Sequence, residues 1–203
     1  MKLLYRWLLL CLLPGLSGCA FQELPPVTEY SLEPSLESVR QDRNPLPLTI
    51  RLAPISASQM YLTPDLYYVD ASSYQHNPYA YSRWVDAPVR MLQLVLQDGL
   101  EQSGLFKAVL PSSSMLRPDL RLETTLYDFS QQLGADDSSA AVVRLRFYLI
   151  DARKGKILGS KQFISRVPAP SRDARGGVAA INEAVALILP RLVSWLADAA
   201  QGN

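Results

Sequence analysis

Ala141-Val142-Val143-Arg144-Leu145-Arg146-Phe147-Tyr148-Leu149-Ile150 is the stretch on which the fold turns. Rich in β-branched and aromatic residues, it reads as the strongest strand of the chain. Asp151 to Lys156 makes a turn around Gly155, and Ile157 to Val167 returns as the antiparallel partner. Upstream, Asp119 to Phe129 reads as another strand, with Leu120, Leu122, Thr124 and Leu126 on one face. The polar segment Ser130 to Ser139 is expected to be the loop between them.

Two amphipathic helices flank this meander. Asp86 is expected to cap the first, with Pro88 in its opening turn. Val89, Leu92, Leu96 and Leu100 then recur at spacings of three and four, and Gly104 stops the helix. The second runs from about Asp173 to Ala200, with Ala174, Val178, Ile181, Val185, Ile188, Leu192 and Leu196 as its apolar stripe. Pro190 lies inside it, and a kink or break near Leu187 to Pro190 is expected. Arg191 and Asp198 favour a core helix over a membrane segment.

Before the first helix, Leu48-Thr49-Ile50-Arg51-Leu52 alternates cleanly and ends at Pro54, and Leu105 to Leu110 after it is a short apolar strand. Tyr61, Tyr67, Tyr68, Tyr74, Tyr79, Tyr81 and Trp84 crowd the intervening stretch, read as one or two short strands joined by a loop around Ser72 to Pro78. Thr28 to Leu32 is a further short extended piece. Together these elements predict an α+β domain, a mixed or antiparallel sheet of five or six strands with both helices packed on one face.

The first nineteen of the 203 residues carry a different message. Lys2 and Arg6 make a positive n-region, Leu8 to Leu16 an apolar h-region, and Leu16-Ser17-Gly18-Cys19 a lipobox. The apolar run is short of the roughly 20 residues that a spanning helix needs. Cleavage makes Cys19 the lipidated first residue, and Ala20 in place of an aspartate favours the periplasmic face of the outer membrane. The expected organisation is a signal peptide at 1–18, a proline-rich tether at 19–47 and one domain at 48–203.

Composition narrows the function. The leader takes Lys2 and Arg6 with it, so the 20 basic residues fall to 18 against 19 acids, a balance that suggests no nucleic-acid partner. Cys11 leaves with the leader and Cys19 is acylated, so no thiol is left for a disulfide or a metal site. His76 is the only histidine. Ser72, Ser73 and the Ser112 to Ser114 run have no G-x-S-x-G elbow around them. Asp136-Asp137 lacks calcium-loop spacing, and Gly176-Gly177 lacks the phosphate-loop pattern. The expectation is a protein without enzyme activity, metal or cofactor. The distinctive feature is the tyrosine-rich segment, and Tyr74, Tyr79 and Tyr81 are its candidate partner-interface residues.

The order of segments resembles the ABC-type transport auxiliary lipoprotein component family, which includes the lipoprotein of paraquat-inducible systems. The resemblance rests on the Cys19 lipobox; Tyr30-Ser31-Leu32; Ile50-Arg51-Leu52-Ala53-Pro54; Tyr61-Leu62-Thr63-Pro64-Asp65-Leu66; Arg83-Trp84-Val85-Asp86-Ala87-Pro88; Asp119-Leu120-Arg121-Leu122; and Tyr127-Asp128-Phe129. The chain departs from the family at Leu66-Tyr67-Tyr68, usually less aromatic, and at Pro190. The resemblance implies an accessory role beside an ABC transporter whose periplasmic component carries MCE domains, in lipid movement between envelope membranes. It also makes a homo-oligomer plausible. The alternatives are an envelope assembly factor that helps place or plug an outer-membrane protein and, more remotely, a lipoprotein hydrolase.

Overall fold

The alternation of residues 120–167 builds three long strands: β7 (Leu120–Leu133), β8 (Ser139–Asp151) and β9 (Lys156–Pro168), paired antiparallel in that order. The computed structural model describes residues 25–40, 44–70 and 72–201. Cys19 and the rest of the expected lipobox lie outside the described residues.

The free edge of β7 is shared by three strands in succession, each parallel to it. β2 (Leu46–Leu52) pairs with Leu120 to Leu122, β3 (Ser56–Ala57) with Thr125 and Leu126, and β4 (Asp65–Asp70) with Gln131 to Leu133. The sheet therefore forks. One branch continues from β2 to β6 (Phe106–Leu110), the other from β4 to β5 (Gln75–Trp84) and then β1 (Thr28–Tyr30). At about 3.3 Å per residue β7 is roughly 43 Å long, and the two branches leave from its opposite ends.

Two helices cover the apolar face. The expected stripes are buried apart from half-buried Val89: Leu92, Leu96 and Leu100 of α1 (Pro88–Gln102), and Ala174, Val178, Ile181, Val185, Ile188, Leu192 and Leu196 of α2 (Ala174–Gln201). They share one core with Leu122, Leu126, Phe129, Leu145, Phe147 and Phe163 of the sheet. A Cβ on Gly99 would stand 3.0 Å from Leu189 Cδ2, so glycine there lets α1 and α2 approach closely. By length and composition α2 could cross a membrane, yet 61% of its most apolar window is buried against the sheet and α1, which makes it a core helix.

The α+β class and the two helices stand as expected, but among the described residues nine strands replace the five or six. β1 lies within the extended piece expected at Thr28 to Leu32, whereas β3 has two residues, too few to reveal a period. The expected loop at Ser72 to Pro78 is mostly strand, because β5 begins at Gln75 and Pro78 faces Tyr67 within it. The expected loop at Ser130 to Ser139 shrinks likewise, since β7 runs on to Leu133 and Ser130 and Gln131 are fully buried. Ala87 rather than Asp86 is the cap of α1, and the Asp86 carboxylate instead accepts the Ala87 N–H and binds Arg90. α2 is unbroken through Pro190. The missing proline N–H deprives the Ala186 carbonyl of its helical donor, and Ala186 and Leu187 lie on the partly exposed side, where that loss is mildest. Within the stretch read as tether, β1 joins the sheet and Leu32 and Val39 are buried.

Candidate partner interface

Beyond Tyr61, which sits in a 3-10 turn at Gln59–Leu62, the tyrosine-rich stretch folds into the β4–β5 hairpin. Its turn is tied by Asp70, whose carboxylate accepts the Ser72 N–H and hydroxyl while its backbone carbonyl accepts the Tyr74 N–H. These donors hold the Asp70 carboxyl below the usual aspartate range, the Ser72 hydroxyl first among them. Tyr74 takes a left-handed φ of 57° and projects from the turn 84% exposed. That conformation is costly for a side chain this large.

The three candidate tyrosines differ in exposure. Tyr81 is 46% exposed. Tyr79 is half-buried and packs against Tyr68 in a tilted pair with ring centroids 4.9 Å apart. Its hydroxyl donates to Gln131 Oε1 at 2.7 Å, and burial, with the nearby Asp173 charge, pushes its pKa up to about 12, so it remains a donor at neutral pH. The Gln131 amide nitrogen donates in turn to the Ser139 hydroxyl and the Ser171 carbonyl. Gln131 is thus a buried hub joining hairpin, sheet and the start of α2. A polar residue in a polar stretch gave no sign of this in the sequence.

Gly176 and Gly177 find their explanation at the same hub. A Cβ on Gly177 would stand 2.3 Å from Gln131 Oε1, and one on Gly176 2.4 Å from the Ser171 carbonyl oxygen. The pair lets α2 begin directly against β7, with Asp173 accepting the Gly176 N–H at 2.8 Å and the Ser171 hydroxyl at 2.6 Å. Those two hydrogen bonds, the hydroxyl's first, lower the Asp173 pKa.

The residues that carry the family resemblance also turn out to brace the sheet. The Tyr61 hydroxyl accepts the Phe129 N–H at 3.1 Å, just past the irregularity between Leu126 and Asp128. Burial raises the pKa of Tyr61, and of Asp128 beside it. Arg83 reaches across to Glu29 at 2.6 Å, holding β1 to β5, and Trp84 packs on Phe129. Asp119 accepts both the N–H and the hydroxyl of Thr49, pinning β2 to the start of β7.

His76, expected in a loop, sits on β5 opposite Val69. Among the described residues no group of three or more His, Cys, Asp or Glu could hold a metal ion.

An open mixed sheet of this kind with both helices on one face is the architecture of a DUF330 protein from Xanthomonas campestris, whose crystal structure aligns at TM-score 0.75. That match has 21% identity and covers 86% of this chain and 98% of the other. The crystal structure of an uncharacterized protein aligns at TM-score 0.61 with 13% identity, over 87% of this chain and all of the other. No curated protein matches the chain. The model of the ABC-type transport auxiliary lipoprotein component family matches residues 30–192, and the chain belongs to that family.

Proposed function

We propose that this chain is a non-catalytic lipoprotein, acylated at Cys19 and held at the periplasmic face of the outer membrane, that docks the MCE-domain protein of an ABC transport system moving lipid between envelope membranes. The observation that carries the reading is how directly the lipobox leads into the family domain. Only residues 20–24 separate Cys19 from Pro25, about 20 Å of fully extended chain. β1 runs antiparallel to β7, so the chain enters from the Leu133 end, beside the Tyr74 turn. An acyl group on Cys19 then keeps the hairpin end near the bilayer and leaves the Leu120 end facing outward.

In this arrangement Tyr74 and Tyr81 offer contact surface to a second copy of the chain, and Tyr79 positions the hairpin from beneath. The test is affinity capture of the tagged full-length chain from detergent-solubilised envelopes. Co-purification of an MCE-domain protein with its ABC permease is expected. Recovery of an outer-membrane barrel instead would favour the assembly-factor reading, and loss of acylation at Cys19→Ala with no change in fractionation would remove the anchor. Tyr74→Ala combined with Tyr81→Ala is expected to reduce the assembly size while leaving the melting temperature unchanged.

A further inference from the structure

At the Leu120 end of the sheet a cleft of about 720 Å³ opens between the loop after β6, the start of β7 and the β8–β9 turn. Four arginines line it, each from a different segment: Arg51 of β2, Arg117 of the loop, Arg121 of β7 and Arg153 of the turn. Two carboxylates stand close by. Asp119 lies 2.5 Å from Arg153, and Glu123 lies 2.8 Å from Arg121, so each neutralises one guanidinium. Asp119 is also committed to Thr49. Among the described residues the other two arginines have no counter-ion: Arg51 donates to the neutral Ser114 carbonyl, at 3.2 Å, and Arg117 has no ion-pair partner. The enclosed Nε of Arg121 donates to nothing among them. On the rim, Met115 is 96% exposed and Leu116 66%.

Guanidinium groups recognise carboxylates through paired, charge-assisted hydrogen bonds. Bare apolar side chains beside them add a contact that water disfavours. We infer that this cleft docks a carboxylate-rich segment of a partner protein, whose neighbouring apolar side chain seats on Met115 and Leu116. The inference rests on the docking reading above.

The position in the fold favours a protein over a membrane. The cleft stands at the far end of β7, roughly 43 Å from the end at which the chain enters. The segment from Cys19 to Pro25 spans about 20 Å at most, so an anchored, upright domain holds the cleft away from the bilayer that binds Cys19. A cleft of this volume admits a few side chains.

The test uses the full-length protein in detergent micelles and a fluorescein-labelled peptide of alternating Glu and Leu, with a Lys-Leu peptide as control. The parent is expected to bind the Glu peptide alone, with affinity falling as salt rises. Arg51→Glu combined with Arg117→Glu should weaken binding by roughly tenfold or more. Arg117→Glu alone, at an exposed side chain without an ion-pair partner among the described residues, keeps the test decisive should the double variant melt early. Equal binding of the two peptides, or unchanged binding by the arginine variants, would overturn the inference. So would arginine-dependent binding to phosphatidylglycerol vesicles without binding of the Glu peptide. Capture from envelopes separates the two claims: if both parent and arginine variants retain the MCE-domain protein, the docking reading survives and the cleft assignment fails.

Discussion

At the Leu133 end of β7 Gln131 is buried and joined to Tyr79, Ser139 and Ser171, whereas at the Leu120 end four arginines face a cleft and two of them have no counter-ion among the described residues. The contrast matters because a buried polar group must be satisfied internally and so rigidifies its surroundings, while an uncompensated surface charge is available for binding. The Gln131 hub thus reads as structure and the arginine cleft as recognition.

The sharpest way to break this contrast is to remove the hub. Gln131→Ala leaves buried partners unsatisfied and opens a cavity, and should cost roughly 2–4 kcal/mol in urea unfolding. A loss within about 0.5 kcal/mol, ordinary for a surface site, would mean that the hub holds nothing together. The glycines of the two ends should respond differently. Gly177→Ala sets a Cβ against Gln131 and should cost about 1–3 kcal/mol by overpacking. Gly155, in the β8–β9 turn, has φ 65° and open space around it, so Gly155→Ala meets only the left-handed penalty of about 1–2 kcal/mol, and Gly155→Asn should recover much of it. Recovery at Gly177 by asparagine would contradict the packing argument.

Smaller effects separate the tyrosines. Tyr79→Phe should cost about 1 kcal/mol through its lost hydrogen bond. Tyr81→Phe should be neutral in the same melting experiment. At the Leu120 end Asp119 gives a pH signature. Its pKa is lowered, chiefly by the Thr49 backbone N–H, so its contribution to stability is present above the ordinary aspartate value and is lost as pH falls through the lowered folded value. Asp119→Asn should flatten that part of the stability profile below pH ~4. An unchanged profile would mean that the clamp to Thr49 is not electrostatic.

Both helices, the β7–β8–β9 meander and the family were legible in the sequence because periodic apolar residues and linear motifs are local signals. What escaped was non-local. Gln131 looked like a loop residue because polarity alone cannot reveal a partner 40 positions away, such as Ser171, or 52 away, such as Tyr79. Gly176-Gly177 read as a failed phosphate loop until the closeness of β7 explained it. The tyrosine segment stood out by composition, yet its members serve different ends, with Tyr61 bracing an irregular strand and Tyr79 held by the hub. Arg51, Arg117, Arg121 and Arg153 are spread over about a hundred residues, and only the forked sheet gathers them.

The claim that the two ends are used differently is tested most directly by site-specific photo-crosslinking in intact envelopes, from position 74 and from position 117 of the full-length chain. The account requires position 117 to trap the MCE-domain protein, and position 74 to trap a second copy of this chain. Crosslinks to the MCE-domain protein from position 74 with none from position 117 would contradict it.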